Sequence, residues 1–238
     1  MTHLAHHESA AAHINGSARF IDDMPEVQGT LHAAPILSPV AHGYVRQMNF
    51  EGTLALSDVH AVVSSADIVG DRRLASFTQD EPIFADTMVQ HVGQVMGLVV
   101  AQSHRQARLA AHCIRPTIEV APAVLDVRQA YAQQHWVLPP VHVTRGDAEQ
   151  AIAAAAHTLK GNLEVGGQEH FYLEGQIAYA IPQEGGQWLI HSSTQHPGEV
   201  QHWVAHALNV PLHAVRVVCR RMGGGFGGKE TQAGHLAV

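Results

Sequence analysis

The chain has 238 residues, 46% apolar and 15% charged, with 14 Lys and Arg against 21 Asp and Glu, for a formal net charge of −7. This composition supports a buried core and excludes a disordered or fibrous chain. The absence of clustered Lys and Arg excludes a nucleic-acid grip, because phosphate neutralisation needs concentrated positive charge. No apolar run nears the roughly 18 residues of a membrane helix. The start, Met1 to Glu8, has neither a basic nor an apolar signal region, so a cytoplasmic protein is expected.

Taken in chain order, residues 1–28 read as an irregular lead-in, with His3, His6 and His7 at a frayed terminus. Thr30–Pro39 and Gly43–Phe50 read as strands, Leu54–Asp58 as a short helix, His60–Ser64 as a buried strand and Asp67–Asp80 as loop. The β-branched content of Val89–Ala101 predicts a central strand or hairpin. Ser103 is placed to cap a helix over Arg105–Ile114, which Pro116 stops. A strand over Thr117–Val120 and a helix over Val127–Gln134 follow, and Pro139–Pro140 marks a domain boundary, giving units 1–140 and 141–238. Beyond it, Asp147 opens an Ala-rich helix to about Ala156. Strands are expected over Thr158–Val165, Phe171–Ile181 and Gln187–Ser193, the last two joined by a turn at Gly185–Gly186. A helix over Pro197–Leu208 and a strand over Ala214–Arg220 complete the pattern. Mixed order without strict strand–helix–strand repetition predicts an α+β fold.

Cys113 and Cys219 lie far apart in apolar stretches, outside any CxxC spacing, and are expected to be small buried hydrophobes. His202 and His206 are four apart on a helix, a spacing open to metal, but no His-Glu-x-x-His pattern surrounds them and exposed polar positions explain them as well.

The strongest feature is Met222 to Glu230, with five glycines in the six positions 223–228. Such a ribbon lets backbone approach a ligand without Cβ interference, and its successive N–H groups can form an anion nest. Phe226, the one large ring in it, must dock on core or on ligand. Gly223-x-Gly225-x-x-Gly228 satisfies the dinucleotide fingerprint, but the acid expected about twenty positions on falls beyond Val238. Gly223-x-x-x-x-Gly228-Lys229 matches a P-loop until Glu230 replaces the Mg²⁺-binding Ser or Thr, a carboxylate that would repel phosphate.

The segment Gly223–Thr231 (GGGFGGKET) resembles the cofactor loop of the molybdenum hydroxylases, in their xanthine dehydrogenase branch. Gly167–Glu174 (GQEHFYLE) resembles a second motif of the same enzymes, and Ser193–His196 a third, in matching order and spacing. Gly16–Asp23 (GSARFIDD) and Gln102–Ala111 (QSHRQARLAA) extend the similarity through the early region. The resemblance implies an α/β-hammerhead domain over 1–140 and the beginning of a molybdopterin-binding domain over 141–238. It also implies that the catalytic base, a glutamate in this family, and the residues clamping the substrate ring come from later sequence, so the chain resembles a truncated or split subunit.

The implied chemistry is hydroxylation of an electron-poor C–H carbon at molybdenum. Hypoxanthine and xanthine are taken toward urate, and electrons pass to [2Fe–2S], FAD and NAD on partner domains or subunits. By resemblance, Gln168 carries the amide facing the metal's oxygen ligand, and Gly225, Phe226 and Gly227 lie against the cofactor. Gln168 and Phe226 would thus stand around molybdenum without binding it. Glu230 matches the acid that orients a purine, where aldehyde-oxidising relatives carry an apolar residue. The remaining molybdopterin-binding segment and an Fe–S/FAD subunit or domain are the implied partners. Lys229 holds a cofactor anion or starts a helix in solvent. Gln195 lies near the cofactor or simply ends a strand. Glu169, His170 and Glu174 are expected at the surface or behind the site, with Phe171 and Leu173 on the opposite strand face.

Overall fold

The computed structural model describes residues 7–74, 78 and 80–237. Its helices and strands are, in chain order, α1 (Ala10–Ile14), β1 (His32–Leu37), β2 (Gly43–Gln47), α2 (Glu51–Leu54), β3 (Val59–Val63), β4 (Arg73–Leu74), β5 (Glu81–Pro82), β6 (Met88–Val89), β7 (Val95–Ala101), α3 (His104–Cys113), β8 (Thr117–Val120), α4 (Val127–Ala132), α5 (Ala148–Ala154), β9 (Ala178–Pro182), β10 (Trp188–Ser192), α6 (Pro197–Ala207), β11 (Val215–Val218) and α7 (Gln232–Ala237). Contacts divide the chain into a larger unit, residues 1–121 with 170–238, and a smaller one, 122–169.

Of the central strand or hairpin expected over Val89–Ala101, the larger unit has a central strand over 95–101: β7 pairs antiparallel with β1 on one side and β3 on the other, while Val89 ends β6 in another sheet. α3 covers this sheet with Ala107, Ala110 and Ala111 against Ala34, Ile36, Met96 and Val99. The Ser103 hydroxyl accepts from the Gln106 N–H at 3.3 Å, so the expected cap is present. A second antiparallel sheet orders β6-β2-β8.

The third sheet orders β11-β10-β9. β9 and β10 form an antiparallel hairpin turned by Gly185 and Gly186, both near φ +70°. β10 and β11 are parallel, and α6 makes the crossover between them. One flank of α6, Val200, Val204 and Ala205, packs on Ile190 and Val215. Another, Trp203 and Ala207, packs on Leu74, Ile83 and Phe84. The C-terminal end of α6 is capped from outside: the Gly70 N–H donates to Ala207 O at 2.9 Å and the Asp71 N–H to His206 O at 3.0 Å. This approach is so close that a Cβ on Gly70 would stand 1.9 Å from His206 O.

The smaller unit holds α4 and α5, capped by the Asp126 and Asp147 carboxylates, and none of its residues is buried.

Several expectations need correction. Thr158–Val165 is not a strand: Leu159, Gly161, Leu163 and Val165 alternate with Thr158, Lys160, Asn162 and Glu164, yet no partner strand meets them among the described residues. The strand expected over Phe171–Ile181 begins only at Ala178, where β10 supplies a ladder. The short helix sits at Glu51–Leu54, ahead of its expected place, the lead-in contains α1, and the loop 67–80 contains β4. Cys113 is exposed at the end of α3 and Cys219 half-buried, so neither is a core residue. His3 and His6 lie outside the described residues.

Candidate cofactor site

β10 and β11 run parallel, so the segments leaving their C-terminal ends emerge at one edge, the edge where open sheets place ligands. Ser193-Thr194-Gln195 leaves β10, and the glycine loop follows β11. The two meet: Gln195 N donates to Lys229 O at 2.7 Å, and Gln195 Oε1 accepts from the N–H groups of Gly227 at 2.9 Å and Lys229 at 3.4 Å. Thr194 Oγ1 donates to Lys229 O at 3.3 Å.

The segment 170–176 closes the loop from another side. Glu174 N donates to Gly223 O at 3.2 Å, and Gly223 N returns a bond to Glu174 Oε2 at 2.8 Å. Gln176 Nε2 donates to Gly228 O at 2.9 Å and to Tyr172 Oη at 3.0 Å. These approaches explain the glycines. A Cβ on Gly223 would lie 2.5 Å from Glu174 Cβ, one on Gly225 2.6 Å from Gln195 Oε1, and one on Gly228 2.7 Å from the Tyr172 ring.

The tip is a tight turn. Gly228 N donates to Gly225 O at 2.8 Å, with Phe226 at φ +54° and Gly227 at φ +94° between them. Both central residues therefore occupy the left-handed region, as in a type I′ turn. A phenylalanine there is strained by about 1 kcal/mol or more, and the residue is 75% exposed. Of the two places expected for Phe226, core or ligand, docking on the core of the described residues is thus excluded. The expected nest is reduced, because the N–H groups of Gly223, Gly227, Gly228 and Lys229 all donate within the protein.

Lys229 is neither a solvated helix start nor an outward cation. It is 0% exposed, with Nζ donating to Ser193 Oγ at 2.8 Å and Glu174 Oε2 at 3.2 Å and standing 4.7 Å above the Tyr172 ring. Glu174 also accepts from Ser193 Oγ at 2.6 Å. Burial pushes its carboxyl up, but the bonds from Ser193, Gly223 and Lys229 together outweigh that and hold it below the usual carboxylate range. Glu174 Oε1 is buried with no hydrogen-bond partner among the described residues.

Of the residues expected at the site, Gly225, Phe226, Gly227 and Gln195 come together here, with Glu230 exposed where the loop ends. Gln168 is exposed on an irregular stretch of the smaller unit. Tyr172 and Gln176 were missed as functional positions, Ser193 was read only as part of a motif, and of the two places expected for Glu174 the structure gives the one behind the loop. The period-2 placement of Tyr172, Glu174 and Gln176 opposite the exposed Phe171 and Leu173 was the signal that could have found them. A cavity of about 410 Å³ lies elsewhere, along α6, lined by Asp71, Arg73, His196, His202, Trp203 and His206 among others. It contains none of the loop residues. Among the described residues no group of three or more His, Cys, Asp or Glu could hold a metal ion.

Residues 15–121 match the aldehyde oxidase and xanthine dehydrogenase a/b hammerhead domain, and residues 129–238 match the molybdopterin cofactor-binding domain. The chain is 38% identical to a xanthine dehydrogenase of Drosophila pseudoobscura pseudoobscura over 98% of its length and 18% of that protein's. It is also 38% identical to aldehyde oxidase 2 of Cavia porcellus, over 98% of its length and 17% of the relative's. Among solved structures, aldehyde oxidoreductase from Desulfovibrio gigas superposes with TM-score 0.83 at 26% identity, covering 97% of this chain and 28% of that one. Quinoline 2-oxidoreductase from Pseudomonas putida 86 does so with TM-score 0.82 at 25% identity, covering 95% and 31%. The chain therefore spans under a fifth of the length of these curated relatives. With both family models matched, the chain belongs to the molybdenum hydroxylase family of xanthine dehydrogenase and aldehyde oxidase.

Proposed function

We propose that the chain supplies the hammerhead domain, residues 1–140, and the beginning of the molybdopterin-binding domain, residues 141–238, of an enzyme that hydroxylates purines. The observation that carries this reading is the exposed, strained turn at Phe226–Gly227, held by Gln195 from behind. Its outer face fits a broad, flat group: the nearest atom to a Cβ built on Gly227 is His170 Nε2 at 4.0 Å, and the Phe226 ring stands in the open. Gly225, Phe226 and Gly227 would hold molybdopterin by backbone and ring contact, and Gln168 would offer a neutral N–H toward the metal's oxygen ligand. When bound, that group would supply the two-electron oxidation of a C–H carbon, with water providing the oxygen.

Glu230 presents a carboxylate at the end of the loop, able to accept from a ring N–H and so to orient hypoxanthine or xanthine. A polar acid at this position favours purines over simple aldehydes. Electrons would then leave to [2Fe–2S], FAD and NAD on partner domains or subunits, in a cytoplasmic assembly. In the complete enzyme, Glu230→Ala should depress purine turnover far more than aldehyde turnover. Equal losses on both substrates would remove the purine reading.

A second reading keeps the family and changes the substrate to an aldehyde or another N-heterocycle. It is favoured by similarity to aldehyde oxidase 2 at the same 38% identity. Gln168→Ala separates role from substrate: activity should fall with molybdenum content retained, and full activity would exclude its assigned place.

A further inference from the structure

We propose that Lys229, Glu174 and Ser193 form a buried positioning clamp that sets the glycine loop at the spacing molybdopterin requires, and that Lys229 never touches the cofactor; the inference rests on the function proposed above. The loop begins at Gly223 and ends at Lys229, and both ends are tied to one atom, Glu174 Oε2. Ser193 Oγ joins the same point from β10, donating to Glu174 and receiving from Lys229 Nζ. Three stretches of chain are thus fastened together, and the distance across the loop is fixed by a carboxylate whose own backbone N–H also binds Gly223.

The energetics favour a positioning role over a stabilising one. Taking an ammonium and a carboxylate out of water costs several kcal/mol per ion, and a well-packed apolar pair of similar volume often stabilises as well or better. A cation meant for a ligand anion would not be buried to 0% exposure beneath an aromatic face. What an apolar pair cannot do is accept the Gly223 N–H and orient the Lys229 backbone at once. Directionality is what the charged cluster adds.

The test uses the complete enzyme with Ser193→Ala and the double variant Lys229→Met/Glu174→Leu. Hydrogen exchange of amides 223–229, molybdenum per protomer and thermal midpoint are measured for each. The double variant removes both charges together, so no unpaired ion is left to unfold it. Both variants should still fold, with the midpoint lowered by no more than several degrees for the hydrogen bonds lost at Gly223 and Ser193. The loop amides should exchange about tenfold faster or more and molybdenum content should fall about 10-fold, the scale seen when groups supporting metal sites are removed. Unchanged loop protection in Ser193→Ala overturns the clamp even if the double variant fails to fold. Wild-type enzyme purified without molybdenum would instead overturn the cofactor reading, while the exchange data still decide the clamp.

Discussion

Glu174 sits where burial by itself would raise its affinity for a proton. The folded chain binds that proton more weakly than the unfolded chain, because Ser193, Gly223 and Lys229 donate to the ionised form. The stability it contributes is complete above the ordinary carboxylate value of 4.5 and is lost as pH falls through the lower folded value. Urea denaturation on either side of the ordinary value of 4.5 should show a flattened limb on the acid side in Glu174→Gln. An unchanged limb would mean that other groups carry the acid sensitivity. Gln195→Ala removes the acceptor shared by Gly227 and Lys229. It should cost about 1 kcal/mol in denaturant unfolding and raise exchange at the loop tip. At this scale the sequence exposed the glycine loop, Phe226 and Glu230 through their pattern. It did not show that Lys229 turns inward, since a lysine after glycines carries no local mark of the carboxylate fifty-five positions earlier that receives it.

The elements follow the same division. Ser103 is a cap legible from one hydroxyl before an amphipathic run, and Ser103→Ala should lower stability by about 1 kcal/mol, read from the denaturation midpoint. Gly70 carries no such signal: it sits in a stretch that reads as loop, yet it seals the C-terminal end of α6. Gly70→Ala would force a Cβ to 1.9 Å from a backbone oxygen, and the overpacking should cost about 3 kcal/mol or more, shifting the thermal midpoint down by several degrees. The alternation over Thr158–Val165 shows the opposite failure. Its period is that of a half-buried strand, but a strand exists only when another backbone answers its ladder, and among the described residues none does.

Across the whole molecule, burial is unevenly distributed. Residues 1–121 and 170–238 share three apolar clusters, whereas 122–169 bury nothing. Amide exchange in this chain should therefore be fastest over 122–169 and slowest in β7 and α6, and strong protection over 158–165 would contradict that expectation. By itself the sequence determined the α+β class, strand structure in the run ending at Ala101 and the Ser103 cap, because local propensity and periodicity are properties of neighbouring residues, and its motifs carried the resemblance to the molybdenum hydroxylases. Only the tertiary structure decided that Lys229 is buried against Glu174, that Gln195 holds the loop from behind and that Phe226 stands exposed in a left-handed turn. Each depends on segments distant in sequence meeting at the loop, residues 170–176 from one side and Ser193–Gln195, through the parallel pairing of β10 and β11, from the other, contacts that no local pattern contains.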